Sequence, residues 1–303
     1  MNRIVAVTPA GRRGYLELLA HYVLLDASIV EWHLWDNCRQ QSDREYIHEL
    51  ANKNQKIKVI NLPKVDGTNN SINMFYTLCN EPDTFYIKMD DDLVYLPAGL
   101  GSGMYETAVV ERERYLWWSP LVINNAICTW LLKYFSSIKI AAEITAQGSC
   151  RIGWRSPLFA ESLHRAFISA LETSSVQDFR VPSQALSLSR FSINCVGFFG
   201  SDVLAAGDNF CPAGVDDEEW ISAVLPAKLG RPGRIIGDYT VSHFSYYPQE
   251  AALLQTNILD EYYSIAGMQL THRPVKKLTK KMALKFAVLN RLLGWKIPLD
   301  ISK

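Results

Sequence analysis

The segment Phe85-Tyr86-Ile87-Lys88-Met89-Asp90-Asp91-Asp92 sets the fold. A short β-prone run stops abruptly at three carboxylates, as a buried strand does where it leaves a sheet for a polar rim. The stretches before it repeat that pattern. Ile4 to Val7 is an apolar run closed by Thr8-Pro9-Ala10-Gly11, after which Tyr15, Leu18, Leu19, Tyr22 and Leu25 recur at helical spacing. Val30 to Trp35 is strand-like and ends at Asp36-Asn37. Ser42 and Glu45 form a capping-box pair that opens a helix through Tyr46, Ile47 and Leu50. Ile57 to Leu62 is a third strand, followed by the polar loop 64–70 and a helix near 71–79. This order of strand, helix, strand, helix, strand, helix, strand calls for an α/β fold with a mostly parallel sheet flanked by helices. Ligands of such sheets bind beyond the carboxyl ends of the strands. Residues 8–13, Asp36-Asn37, the 64–70 loop and the Asp triplet all follow strand ends, so four polar segments converge on one rim.

Beyond residue 100 the pattern is less regular. Trp117 to Ile123 and Arg190 to Phe199 read as strands, 158–171 as a helix, and Arg234 to His243 as a last strand pair. Gly200-Ser201-Asp202 opens a helix, and helices fill 249–267 and 275–293. Segments 136–157 and 173–189 are rich in Ser, Gly and Gln and read as loops.

The 303 residues are 48% hydrophobic and 20% charged, a globular mixture that excludes a disordered or fibrous chain. A formal charge of zero hides an asymmetry. Nine Lys/Arg stand against one acid from Arg273 to Lys303, so a tail of net +8 follows a body of net −8. An acidic body argues against nucleic acid as the main partner. Six scattered cysteines without a CxxC pair or zinc-type spacing read as reduced thiols of a cytoplasmic protein. The first residues are too short an apolar run for a signal peptide, and no stretch approaches the roughly 20 apolar residues of a membrane span.

Three adjacent carboxylates repel one another unless a cation or solvent offsets them. Alternate residues of an extended segment point the same way, so Asp90 and Asp92 can face one ion together. All-oxygen ligation suits Mg²⁺ or Mn²⁺, with diphosphate oxygens completing the shell.

The run from Ile87 to Tyr95 resembles the DxD motif of GT-A glycosyltransferases, which ends a strand and holds a metal with a nucleotide diphosphate. The preceding strands match that family's N-terminal half, and the likeness is to bacterial, inverting, GT2-like members. It implies a GT-A, Rossmann-like fold with a C-terminal helical extension. It also implies a nucleotide-sugar-binding half at 1–98, an acceptor-binding and catalytic half at 99–247, and a basic helical extension at 248–303. By this resemblance Asp92 is the principal metal ligand and Asp90 faces the metal or ribose. Asp91, Thr8, Pro9 and Arg12 lie by the donor, and Asp36 sits near its base.

Two later features extend the resemblance. Gly214-Val215-Asp216-Asp217-Glu218-Glu219-Trp220 is similar to the acidic segment that supplies the base of inverting enzymes, with Asp217 as the base and Asp216 as second choice. His243 stands where many relatives place a third metal ligand. Trp220, beside the acids, is the candidate for stacking an acceptor sugar. The implied activity is metal-dependent transfer from a nucleotide-sugar, such as a UDP-sugar, to a glycan or lipid-linked acceptor in surface polysaccharide assembly. Other readings are a sugar-phosphate nucleotidyltransferase and a non-catalytic nucleotide- or carbohydrate-binding protein of the same fold. Along 275–293 apolar and basic residues recur at helical spacing, which suits either an anionic membrane surface on the inner face or docking on the acidic body.

Overall fold

The computed structural model describes residues 3–63, 65–68, 71–186, 188–280, 282 and 284–286. Residues 281, 283 and 287–293 of the basic helix expected over 275–293, and residues 64, 69 and 70 of the 64–70 loop, lie outside the described residues.

The elements follow in order as β1 (Arg3–Ala10), α1 (Arg13–Leu25), β2 (Ile29–Asp36), α2 (Gln41–Lys53), β3 (Ile57–Ile60), α3 (Asn73–Tyr76), β4 (Thr84–Met89) and β5 (Leu93–Tyr95). After them come α4 (Leu100–Glu111), β6 (Trp117–Ile123), α5 (Ala126–Phe135), α6 (Arg151–Arg155), α7 (Pro157–Glu172), β7 (Gln184–Ala185), β8 (Cys195–Phe199) and α8 (Gly200–Ala206). A short α9 (Asp217–Glu219) runs through a π turn (Trp220–Val224) into α10 (Leu225–Leu229). Then β9 (Gly233–His243), α11 (Tyr247–Leu253) and α12 (Ile258–Ile265) follow.

The strands form one mixed sheet in the order β3-β2-β1-β4-β8-β6-β9-β5, with β7 on β9. The α/β, Rossmann-like layout expected from the sequence is therefore present. The first four strands pair in parallel, as strand–helix–strand connections require. Antiparallel pairing enters where β8 joins β4, and β9 runs parallel to β6. Strands from both sides of residue 99 thus share one sheet. Trp32, Trp35, Trp117 and Trp118 are buried on it, and each such ring removes roughly 150–250 Å² from water.

Several local expectations are corrected. β1 continues to Ala10 because its pairing with β2 runs through Ala10 and Asp36, so Thr8 and Pro9 lie inside the sheet. The Ser42–Glu45 capping box does not form: α2 starts at Gln41 without a side-chain cap, and Asp43 instead accepts from the Arg13 amide. The helix read over 71–79 shrinks to the four residues of α3. The strand read from Arg190 starts at Cys195, since Arg190 turns outward to pair with Asp216 and Glu218. The last strand pair is the single strand β9, and 249–267 divides into α11 and α12. Among the described residues no helix is long and apolar enough to cross a membrane, and the six cysteines are all buried and unbridged.

His164 on α7 shows how β9 and the C-terminal helices are locked together. Its ring is fully buried; Nε2–H donates to the Phe244 carbonyl and Nδ1 accepts from the Tyr262 hydroxyl, both at 2.9 Å. Burial pushes its pKa down to about 4, with His243 adding to the depression and the Phe244 bond opposing it. The unfolded chain, with an ordinary imidazole, binds more protons than the folded one between about 6.5 and 4. Stability from His164 is therefore complete above that window and falls as pH drops through it, by on the order of 3 kcal/mol. Urea denaturation at pH 7 and pH 4.5 is expected to show a steeper acid loss for the natural protein than for His164→Gln. Equal losses would exclude His164 as the responsible group.

Candidate functional site

β4 carries the Asp triplet out of the sheet, and two neighbouring segments staple it. The Asp90 amide donates to the Asn194 carbonyl at 2.8 Å, just ahead of β8, and the Phe244 amide donates to the Asp92 carbonyl at 2.9 Å, just after β9. The chain then forms β5, antiparallel to β9, with Leu93 opposite His243. That register puts Asp92 and His243 together although 151 positions separate them in the numbering.

Ligand atoms of Asp90, Asp92 and His243 all lie within 4.8 Å of one another. Asp92 and His243 are buried, and Asp90 is partly open to solvent. His243 Nε2 is 3.4 Å from Asp92 Oδ2, while its Nδ1 faces the Asn124 carbonyl at 3.4 Å. A proton held on Nδ1 by that carbonyl leaves the Nε2 lone pair for a metal, the usual arrangement behind a histidine ligand. Two carboxylates and one imidazole, with one side open, could hold Mn²⁺ or Mg²⁺ together with phosphate oxygens. The donor set fits the cation.

Each acid of the triplet meets a different cationic neighbour. Buried Lys88 donates to Asp90 Oδ1 and, at 2.9 Å, to the Ile193 carbonyl; Asn194 Nδ2 donates to Asp90 Oδ2 at 3.1 Å. Asp91 turns the opposite way: it accepts from the Gly11 amide at 3.2 Å and from Arg12 Nε at 3.1 and 3.2 Å. Arg12 also reaches Asp92 at 3.1 Å and Glu250 at 3.3 Å. Burial disfavours charge on Asp92, but Arg12 and His243 outweigh it and hold its carboxyl well below the usual range. Burial would lower the His243 pKa, yet Asp92 and Asp90 raise it.

The other expected residues scatter around this centre. Arg12 lies at the rim, engaged with carboxylates. Thr8 is fully buried and its hydroxyl accepts from Trp32 Nε1 at 3.0 Å, and Pro9 is buried beside it. Their position inside β1 is the reason the loop reading of residues 8 and 9 fails. Asp36 ends β2 with both oxygens engaged, one by Arg44 Nε at 2.7 Å and one by the Cys38 amide at 3.1 Å.

Asp216 caps α9 by accepting from the Glu219 amide at 2.9 Å and pairs with Arg190. Asp217, one residue on, is partly buried and accepts from the Tyr76 hydroxyl at 3.3 Å. Burial raises its pKa, Lys88 opposes that, and Asp90 adds to the rise. Trp220 donates from Nε1 to the Asn209 carbonyl at 3.1 Å, and one face of its ring lies under the Lys228 ammonium, 4.3 Å from the centroid.

Sequence reasoning missed Lys88, Tyr76, Asn194, Glu250 and the Asn124-Asn125 pair. The pair had a usable signal, because it follows the buried run of β6 just as the triplet follows β4. Asn124 adopts a left-handed φ of 61°, which Asn tolerates better than most residues, and its Nδ2 donates to Phe244 O and Gln249 Oε1 at 3.0 Å.

No family model matches the chain, and neither does any curated sequence. Among solved structures it is similar to a mannosyltransferase from Pyrobaculum calidifontis in complex with GDP-Man and Mn²⁺, at 10% identity and a TM-score of 0.48, over 97% of this chain and 70% of that one. It is also similar to GalNAc-T7 with UDP, GalNAc and Mn²⁺, at 9% identity and a TM-score of 0.45, over 88% of this chain and 48% of that one. A 4-diphosphocytidyl-2C-methyl-D-erythritol synthase from Anaerococcus prevotii is similar at 11% identity and 0.41, over 96% of this chain and 97% of that one. At 9–11% identity the functional reading rests on the site itself.

Mn²⁺ binding followed by electron paramagnetic resonance tests the ligand set. Asp92→Ala and His243→Ala are each expected to weaken Mn²⁺ at least tenfold, about 1.4 kcal/mol. Asp91→Asn is expected to leave Mn²⁺ affinity within about threefold, because Asp91 faces Gly11 and Arg12. Unchanged affinity in Asp92→Ala would overturn the assignment.

Proposed function

We propose that the chain is a metal-dependent glycosyltransferase that moves a sugar from a nucleotide-sugar to a hydroxyl acceptor with inversion at the anomeric carbon. The observation that carries this reading is the convergence of Asp90, Asp92 and His243 at the carboxyl end of a central parallel strand, electrostatically coupled through Lys88 to Asp217. Nucleotide-diphosphate chemistry needs the first group, and deprotonation of an acceptor needs the second.

Asp90, Asp92 and His243 would hold the divalent cation, which when bound supplies charge for the departing diphosphate. Asp217 takes the proton of the acceptor hydroxyl as that oxygen attacks the anomeric carbon. The new carbon–oxygen bond forms on one face while the bond to the diphosphate oxygen breaks on the other, and the nucleoside diphosphate leaves with the bonding electron pair. A base needs a proton affinity above that of an ordinary carboxylate, and the burial of Asp217 supplies that rise. Asp216 is the second candidate, with its carboxylate already occupied as a helix cap. Arg12 answers the donor's phosphates from the rim, Thr8, Pro9 and Asp36 support the wall beneath its base, and Trp220 offers its remaining ring face to the acceptor. The acceptor class is a glycan or lipid-linked glycan of bacterial surface polysaccharide assembly, reached from the cytoplasmic side of the membrane.

The test is a thermal-shift screen of UDP-, GDP-, CMP- and dTDP-sugars with and without Mn²⁺, followed by product analysis. A ligand at a hundredfold excess over its Kd stabilises the native state by about 2.7 kcal/mol, enough to read easily. A Mn²⁺-dependent shift with one nucleotide class and sugar transfer or slow donor hydrolysis is expected. Pyrophosphate release would identify a nucleotidyltransferase, and binding without turnover a non-catalytic protein. Asp217→Asn is expected to keep the donor-induced shift and lose transfer by at least a hundredfold. Normal transfer by that variant would remove Asp217 from the mechanism.

A further inference from the structure

We infer that α3 is a positioning device for Asp217, with Tyr76 aiming and charging the carboxylate and Asn73 holding the loop that presents it. The inference rests on the reading of Asp217 as the base.

Four residues make an unstable helix alone, and α3 has no side-chain cap. What fixes it is aromatic packing. Phe75 stacks on Trp35 with centroids 5.2 Å apart and planes 10° from parallel, and Tyr76 meets the same indole edge-on at 5.2 Å. Phe198 of β8 and Phe210 close on the Tyr76 ring, each at 6.1 Å. Tyr76 has no solvent exposure, so its ring has one place to be and its hydroxyl one direction to point. That direction ends on Asp217 Oδ2.

Asn73 is equally buried, and its Nδ2 donates to two carbonyls of the approaching loop, Pro212 at 2.7 Å and Val215 at 2.9 Å. A single amide thus clamps both ends of the turn before Asp216. Side chains so placed serve orientation, because each gives up a solvated partner for one fixed geometry. α3 also touches the other side of the site. Ser71, two residues ahead of it, donates to Asn37 Oδ1 at 3.0 Å, and Asn37 follows the end of β2. The same short segment therefore spans the rim where β2 ends and the acid segment where α9 begins.

Other titratable groups face Asp217 as well: Lys88 and Asp90 from β4 and its end, Asp216 and Glu218 beside it, and the Cys211 thiol, which burial keeps protonated. Arg190 is engaged with Asp216 and Glu218. None of these changes when the Tyr76 hydroxyl is removed, so its contribution can be isolated. A hydrogen bond donated to a carboxylate favours the ionised form, and its loss raises the proton affinity.

The test uses the full-length protein. Tyr76→Phe deletes one oxygen while the ring continues to fill its space. Its expected effects are a kcat at least tenfold lower, an unchanged KM for the donor, and an acid limb of the kcat profile moved up by about one pH unit. Tyr76→3-fluorotyrosine, whose phenol is a stronger donor, is expected to move that limb the opposite way. Carboxyl ¹³C NMR titration of Asp217 in the metal-free protein, assigned with Asp217→Asn, reads the same shifts without turnover. Superimposable Asp217 titrations in the natural protein and both Tyr76 variants would overturn the inference, even with Asp217→Asn inactive. An active Asp217→Asn would remove the base reading and this inference with it.

Discussion

Three consecutive carboxylates at the end of a buried strand are the constraint around which the rest of this molecule is arranged. Two of them have almost no contact with water, and a buried charge without a partner is strongly destabilising. The fold answers with a separate cation for each direction in which the triplet points. Lys88 comes from the same strand, Arg12 from the end of β1, and His243 from the last strand of the sheet. Each partner is held by something else: Lys88 by a carbonyl, Arg12 by Glu250, and His243 by Asn124. The arrangement is a socket of paired polar and charged groups.

Pairing of this kind also sets how the site responds to a divalent cation. Arg12 and His243 hold Asp92 below the usual carboxylate range, so that no proton has to leave it before it can act as a ligand, whereas burial raises Asp91 to about 6. The same groups compete with an incoming metal. Asp90 is the most solvent-exposed of the three carboxylates, although Lys88 and Asn194 already occupy its two oxygens.

The sequence made the N-terminal half legible because there the signals are local. An apolar run followed by a polar break marks a strand end, and that signal placed Arg12, Asp36, Asp90 and Asp92 where β1, β2 and β4 leave the sheet. The order of motifs along the chain also singled out His243, which the structure places beside Asp90 and Asp92. It failed at Thr8 and Pro9 because a strand's last residues are fixed by its neighbours, and β2 extends the pairing to Ala10. It failed at the Ser42–Glu45 cap because Asp43 found a tertiary partner in the Arg13 amide. Tyr76 and Asn73 were invisible for a different reason. Their hydrogen bonds reach residues 139 to 142 positions away, and nothing in local periodicity records such a meeting.

The pairing of Leu93 with His243 has a consequence for how the protein comes into being. Half of the socket is translated before residue 93 and its last ligand about 150 residues later. While the chain emerges from the ribosome, Asp92 remains without His243, and Arg12 without Glu250 to steady it. A nascent chain therefore cannot bring Asp90, Asp92 and His243 together until β9 has paired with β5. Competence arrives only with the closing strand, which makes the centre a record of finished folding.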